Sequence, residues 1–270
     1  MRSSRARVTP PPPKKRLGQH FLTDHNIVRK IVAAAQLGPD DTVLEIGPGR
    51  GILTKALCEQ AGKVIAVEVD RSLEETLHEA LTGATNLDLR FGDALDFAYD
   101  TLPQGTVVVA NLPYVITTPL LFTLLEARAR IDRMVLMVQA EVAKRFVAKP
   151  GTKDYGILSV LTQYRTVPTL AFSVSAGCFR PKPAVSSTVV TMAVRREPAV
   201  AVTDEVLFIR LVRAAFAHRR KILANSLRDE GLTPERIAPA LAVAGIDPTA
   251  RAETLDLRDF AALANALARP

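Results

Sequence analysis

Asn111-Leu112-Pro113-Tyr114 follows the apolar run Val107-Val108-Val109-Ala110, so the asparagine stands where a buried strand opens into a cleft. The loop suits chemistry on the exocyclic amine of a nucleobase. That nitrogen is a poor nucleophile, because its lone pair is delocalised into the ring. The Asn111 carboxamide oxygen and the Leu112 carbonyl oxygen would each accept one of its N–H groups and turn a lone pair toward a methyl donor. Both acceptors also stabilise the positive charge that develops during transfer. Tyr114 offers a flat face on which an extruded base can stack, and Pro113 stiffens the loop. No strong general base is required, since the product ammonium loses its proton readily.

A second constellation supplies the donor. Val43-Leu44-Glu45-Ile46 is a β-favouring run followed at once by Gly47-Pro48-Gly49-Arg50-Gly51, and Ile52 to Leu57 then reads as a helix. Strand, glycine turn and helix open a nucleotide-binding βαβ unit, in which missing side chains let the backbone approach a ligand. The spacing is G-x-G-x-G rather than the G-x-G-x-x-G of dinucleotide sites, with Glu45 just ahead of it. Glu68, 21 residues after Gly47 and at the end of Val64-Ile65-Ala66-Val67, is placed to hold ribose hydroxyls. An acid and three closely spaced glycines suit a nucleoside with an amino-acid tail and no pyrophosphate, which describes S-adenosyl-L-methionine. Asp93 follows the third expected strand and Asn111 the fourth, so four polar positions fall in consecutive strand order, where open α/β sheets bind ligands.

The elements that must carry these positions alternate. Strands are expected near 42–47, 64–69, 87–91, 106–110, 134–138, 167–172 and 186–194, and helices near 52–60, 71–81, 118–129 and 140–148. A further helix is expected after Asp24, with Ile27, Val28, Ile31 and Val32 on one face. The fold class is therefore α/β, a Rossmann-like, mostly parallel sheet covered on both faces. Beyond Arg195-Arg196-Glu197-Pro198 only helical periods remain, among them Phe208, Val212 and Phe216, then Phe260, Leu263 and Leu267. The expected organisation is a disordered basic, proline-rich arm over 1–16, a methyltransferase domain over 17–197 and a small all-helical domain over 198–270.

Composition narrows the partner. The chain has 270 residues, 48% hydrophobic and 23% charged, with a net charge of +7. Such a basic balance favours a polyanion, nucleic acid above all. Cys58 and Cys178 lie far apart without metal-ligand spacing, and the four histidines form no cluster, so neither a disulfide framework nor a metal site is expected. The basic N-terminus runs into Pro10 to Pro13 with no apolar segment behind it, which excludes a secretory signal. Gln104 to Leu125 lacks charge and is long enough to span a bilayer. With Asn111, Pro113 and Pro119 inside it, it reads as a buried strand, a loop and a buried helix. A cytoplasmic monomer without membrane association is the expectation.

Gln19-His20-Phe21-Leu22, Glu45 to Gly51, Asn111 to Tyr114, Tyr155-Gly156-Ile157-Leu158-Ser159 and Phe179-Arg180-Pro181-Lys182-Pro183 occur together and in this order. The set resembles the ribosomal RNA adenine N6-dimethyltransferases over roughly residues 16 to 265. Phe216-Ala217-His218-Arg219-Arg220-Lys221 and Asn225-Ser226-Leu227 resemble its small-subunit branch. The resemblance implies a class I fold and transfer of two methyl groups from S-adenosylmethionine to each of two adjacent adenines near the 3′ end of small-subunit (16S) ribosomal RNA, on an assembling 30S particle late in its biogenesis. It also implies roles. His20 and Leu22 would close over the cofactor, Gly47 with Gly49 would face its methionine part, Glu68 its ribose and Asp93 its adenine. Asn111 would serve cofactor and target, with Leu112 beside it, and Tyr114 and Phe179 would sandwich the target base. His20 departs from the family, which often has asparagine there.

Three consecutive cations, Arg219, Arg220 and Lys221, are read as lying on a helix and fanning around it. With Arg145, Lys182 and the neighbouring Lys144, Lys149, Lys153 and Arg180 they form the expected RNA-binding set, contacting phosphates more than bases. Four rivals share parts of this pattern. Resistance methyltransferases of large-subunit RNA share the sheet motifs, but Tyr-Gly-x-Leu-Ser and the Arg-Arg-Lys segment favour the small subunit. DNA adenine methyltransferases use a similar loop yet need a target-recognition insert that is not visible. A non-catalytic assembly factor would be expected to have lost one of Glu68, Asn111 or Tyr114. Glycine spacing disfavours a nicotinamide oxidoreductase.

Overall fold

The computed structural model describes residues 9–218 and 221–268. The sheet elements follow in chain order: β1 (Phe21–Leu22), α1 (His25–Ala35), β2 (Thr42–Ile46), α2 (Ile52–Cys58), β3 (Lys63–Glu68), α3 (Glu74–Ala80), β4 (Leu87–Phe91), β5 (Thr106–Asn111), α4 (Thr117–Glu126) and β6 (Ile131–Gln139). After them come α5 (Ala140–Val147), α6 (Ile157–Arg165), β7 (Thr166–Val174), β8 (Phe179–Arg180) and β9 (Ser187–Val194). The last elements are α7 (Glu205–Ala217), α8 (Leu223–Asp229), α9 (Pro234–Ala244) and α10 (Leu257–Leu267).

Seven strands form one sheet in the order β4-β3-β2-β5-β6-β9-β7. From β4 through β6 every pairing is parallel, while β9 runs antiparallel to β6. The central strands are Val- and Ile-rich because both of their faces are covered, as parallel sheets require. Val43, Val64, Val107 and Val108 are all fully buried. The chain winds outward from β2 to β3 and β4, then crosses back to place β5 on the other side of β2. That reversal opens a crevice at the carboxyl ends of β2 and β5, where α/β sheets bind ligands. The uncharged stretch near residue 115 resolves into β5 and α4, as expected, and among the described residues no helix is long and apolar enough to cross a membrane.

The backbone divides into two compact units, residues 1–143 with 169–194, and residues 144–168 with 195–270. The expected boundary at 197/198 therefore falls close to one edge, but the segment 144–168 groups with the C-terminal helices. The contacts responsible lie within that second unit. The Tyr164 ring lies 4.4 Å from that of Phe208, and Tyr155, Phe216 and Phe260 form a row with centroids 6.0 and 5.8 Å apart. The Tyr155 hydroxyl donates to Leu255 O at 2.8 Å, and Gly151 N donates to Glu253 O at 2.7 Å.

Two further expectations are corrected. Of the arm taken as disordered, residues 9–16 are bound to the first unit: Arg50 Nη2 donates to Pro11 O at 3.2 Å, and the Lys14 ammonium pairs with Asp70. Residues 1–8 lie outside the described residues. Lys221 is not on a helix, because α7 stops at Ala217 and His218 leaves helical geometry at φ −128°, ψ 79°. Arg219 and Arg220 lie outside the described residues.

Gly62 sets the approach of the chain into β3. A Cβ built there would stand 2.2 Å from the Pro39 carbonyl oxygen, which belongs to the turn leading into β2. Gly62→Ala is expected to lower the unfolding free energy by about 1–3 kcal/mol, the usual cost of overpacking, as read by urea denaturation.

Candidate active site

All of the first unit's predicted cofactor positions line one cleft at the β2/β5 crevice: His20, Leu22, Gly47, Gly49, Glu68, Asp93 and Asn111. Leu112 and Tyr114 line it as well. The glycine turn leaves β2 with Gly47 at φ +72°, Gly49 at +59° and Gly51 at +82°, backbone conformations that side chains rarely adopt. Gly49 has a second reason to lack a side chain, since a Cβ would stand 3.0 Å from the Phe21 ring.

Glu68 holds this turn. Its Oε2 accepts from Gly49 N at 3.0 Å and its Oε1 from Asp70 N at 2.9 Å. Gly92 N donates to the Glu68 backbone oxygen at 2.9 Å, which pins the end of β4 beside it. Each carboxylate oxygen retains a second lone pair, so ribose hydroxyls can still be accepted. Burial raises the Glu68 pKa, and the Asp70 and Gly49 amides oppose that rise. Asp93 is exposed at the end of β4; one of its oxygens accepts from Leu95 N at 2.9 Å, and the carboxylate keeps acceptor capacity for an amino group.

Asp70 anchors a strap that passes over the turn. Lys14 Nζ donates to Asp70 Oδ1 at 2.5 Å, Gln19 Nε2 donates to Oδ2 at 2.9 Å, and Ser72 supplies both its amide and its hydroxyl. Burial alone would raise the Asp70 pKa, but the Lys14, Ser72 and Gln19 donors outweigh it and hold the carboxyl well below the usual range. Arg50 fastens the strap a second time, with its guanidinium 4.6 Å from the centre of the Phe21 ring while it donates to Pro11 O.

The strap delivers His20 to the Asn111 and Tyr114 side of the cleft. Asn111 Nδ2 donates to the His20 backbone oxygen at 3.3 Å, which leaves the Asn111 carboxamide oxygen available as an acceptor. The His20 ring lies 5.7 Å from that of Tyr114, and its Nδ1 stands 2.8 Å from Pro181 O. A carbonyl only accepts, so this nitrogen carries the hydrogen. Leu112 N donates to Met137 O at 3.1 Å, fixing the loop to β6. The Pro113 carbonyl receives Ile116 N and the Thr117 hydroxyl, starting α4 directly behind the loop.

Phe179 does not join this group. The two-residue strands β1 and β8 pair Leu22 with Phe179, and the phenyl ring turns into the core beside Leu22 and Val28, 1% exposed. It presents no face to a base in the cleft. Of the expected RNA-binding residues, Lys182 and Arg145 are exposed, in the first and second unit respectively. Lys221 donates to Asp229 at 2.6 Å, so a phosphate would have to compete with a carboxylate for it. Glu45, Gln19 and Arg50 line the cleft, and Asp70 and Lys14 tie the strap over it; of the five only Glu45 carried an expectation, as the acid ahead of the glycines. Glu45 and Asp70 flank the glycine and Glu68 signals, whereas the strap carried no periodic pattern. Among the described residues no group of three or more potential metal ligands occurs.

Glu45 is the unusual member. It is 1% exposed, lines the cleft, and its Oε2 has no hydrogen-bond partner among the described residues. Burial pushes its pKa up to about 8; the Thr54 side chain opposes the rise and the nearby Glu68 charge adds to it. A buried carboxyl with a spare acceptor fits the ammonium of an amino-acid tail. The folded chain therefore holds a proton here that the unfolded chain releases above the ordinary carboxylate range. Folding stability attributable to Glu45 falls as pH rises from about 4.5 toward 8, by at most about 1.4 kcal/mol per pH unit. Without ligand, Glu45→Gln is expected to gain on the wild type across that window. Parallel stability profiles, measured by denaturation at pH 5, 6.5 and 8, would refute it.

A family model described as ribosomal RNA adenine dimethylase matches residues 13–269. A ribosomal RNA small subunit methyltransferase A from Moorella thermoacetica is 50% identical over 266 residues, covering 94% of this chain and 92% of that one. A protein of the same name from Aromatoleum aromaticum is 47% identical over 255 residues, covering 94% of each. Among solved structures, a dimethyladenosine transferase from Plasmodium falciparum aligns with a TM-score of 0.77 at 28% identity, over 90% of this chain and 96% of that one. The 23S rRNA methyltransferase ErmE aligns with a TM-score of 0.69, also at 28% identity, over 92% and 100%.

Proposed function

The chain belongs to the ribosomal RNA adenine dimethylase family, and from that premise we propose that it methylates N6 of two adjacent adenines near the 3′ end of small-subunit ribosomal RNA, twice each, on an assembling particle. It is an S-adenosylmethionine-dependent ribosomal RNA adenine dimethyltransferase of class I fold. The observation that carries the residue-level reading is the Asn111 amide tied to the His20 carbonyl, which leaves its oxygen for the target nitrogen.

When bound, S-adenosylmethionine supplies a methyl group made electrophilic by a sulfonium. The chain's own residues do the rest. Glu68 accepts the ribose hydroxyls with the lone pairs left over from Gly49 and Asp70. Asp93 accepts from the adenine amine of the donor. The bare Gly47 and Gly49 admit the methionine part, and Glu45 receives its ammonium. In the first transfer Asn111 Oδ1 and the Leu112 carbonyl would each hold one N6 hydrogen of the target; in the second, one of them would hold the hydrogen that remains. Both face the charge gained as the nitrogen loses conjugation, which the release of one proton to solvent per transfer removes. Tyr114 stacks on the extruded ring. The strap from Pro11 to His20 excludes water from one wall of the cleft.

Particle binding is assigned to cations rather than to base reading. Lys182, Arg145, Arg219 and Arg220 are the chosen phosphate contacts, consistent with the net charge of +7. Such binding weakens steeply with salt. Likeness to ErmE keeps large-subunit RNA as the second reading.

A labelled methyl donor offered with unmethylated small-subunit particles, naked large-subunit RNA and duplex DNA separates these readings. N6,N6-dimethyladenosine from the particle alone is expected. Asn111→Ala is expected to lower kcat by at least about 100-fold, the scale for losing one preorganised charge-stabilising group, with cofactor affinity changed far less. Label in large-subunit RNA would move the assignment there, and no label despite particle binding would indicate a non-catalytic assembly factor.

A further inference from the structure

Tyr114 is held from two sides. Its hydroxyl and the Ser187 hydroxyl share a hydrogen bond of 2.7 Å, and the His20 ring stands 5.7 Å from its own. Ser187 is the first residue of β9, is fully buried, and faces Gln139 across the antiparallel β6–β9 ladder. The neighbouring Ser186 carbonyl accepts from Ala140 N at 3.0 Å, so the backbone beneath the hydroxyl is fixed on both strands. Tyr114 itself sits on a loop, half-buried, beside Val115, which is 62% exposed. A ring on a loop edge would ordinarily exchange rotamers. This one is tied to a rigid sheet at the far end of its ring, 73 residues away in sequence.

We propose that Ser187 is a positioning residue for methyl transfer, its hydroxyl holding the Tyr114 ring in the orientation that receives the target adenine before RNA arrives. The inference rests on the proposed stacking role of Tyr114 and deepens it. Ser187 lies under the ring's hydroxyl end, at a residue that neither lines the cleft nor touches the reacting atoms. What it contributes is preorganisation: the rotamer that stacking needs is selected in advance, so base capture does not have to freeze it.

Three consequences distinguish positioning from general stabilisation. Ser187→Ala is expected to lower kcat by about 2- to 13-fold, the fold-change corresponding to the net worth of one hydrogen bond. KM for the particle and affinity for S-adenosylmethionine are expected to hold near wild-type values, because those depend on phosphate contacts and on the glycine-turn end of the cleft. Ser187→Thr, which restores a hydroxyl, is expected to recover most of the rate. Tyr114→Phe removes the same bond from the other side, so it and the double variant are expected to match Ser187→Ala instead of multiplying its effect.

A readout independent of the acceptor keeps this test separate from the proposed function. The chain has four tyrosines and no tryptophan, and Tyr99, Tyr155 and Tyr164 are all buried. Ring-carbon NMR of labelled tyrosine is therefore expected to show one resonance, that of Tyr114, gaining motion in Ser187→Ala while the other three are unchanged. A Tyr114 ring equally ordered in both proteins would overturn the proposal even if no acceptor were methylated. So would multiplicative losses in the double variant, or a Ser187→Ala enzyme with wild-type kcat. A wild-type chain inactive on the particle, with the Tyr114 ring ordered in it and mobile in Ser187→Ala, would instead count against the acceptor assignment alone.

Discussion

The Glu68 carboxylate is the constraint on which the rest of the site depends. Its two oxygens are bonded to amides of two different loops, Gly49 in the turn after β2 and Asp70 in the segment after β3. These bonds fix the glycine turn, whose three glycines have no side chains with which to hold its shape. They also orient Asp70, whose carboxylate collects Lys14, Gln19 and Ser72. From Gln19 the chain passes to His20, whose carbonyl sets the Asn111 amide and whose ring meets Tyr114. A network of hydrogen bonds and ring contact thus connects the glycine-turn end of the cleft to the Asn111 and Tyr114 end.

The same network explains the electrostatics. Glu68 is buried yet multiply bonded, Asp70 is buried and strongly stabilised as an anion, and Glu45 is buried with one oxygen unpartnered. Three carboxyls within a few strands of one another have been given different protonation tendencies by their surroundings. Ordinary burial disfavours charge. Asp70 escapes because an ammonium and several dipoles face it, and Glu45 does not. Glu45 is the position at which an incoming ammonium would have most to stabilise.

Much of the site could be read along the chain because a parallel sheet binds ligands at strand ends, and strand ends are visible where a β-favouring run stops. Glu68, Asp93 and Asn111 were legible for that reason, and Gly47 to Gly51 by their spacing. The strap was not. Its residues show no period, and its partner Asp70 is 56 positions from Lys14. Phe179 was assigned by resemblance, and its burial beside Leu22 had no sequence signal because β1 and β8 are two residues each, too short to show alternation. α6 carried no amphipathic signal because seven of its nine residues are buried, polar and apolar alike. Ser187 had no sequence signal at all; it matters only because β9 brings it beneath a loop that follows β5.

The most direct measurement is a crystal structure of the chain with S-adenosylhomocysteine and an RNA fragment bearing the acceptor adenine. The account predicts the adenine N6 within about 3.2 Å of both Asn111 Oδ1 and the Leu112 carbonyl oxygen, which is hydrogen-bond distance, with the base stacked on Tyr114 and the ribose of the cofactor on Glu68. An acceptor nitrogen bonded to neither Asn111 nor Leu112, or a base seated away from Tyr114, would contradict it.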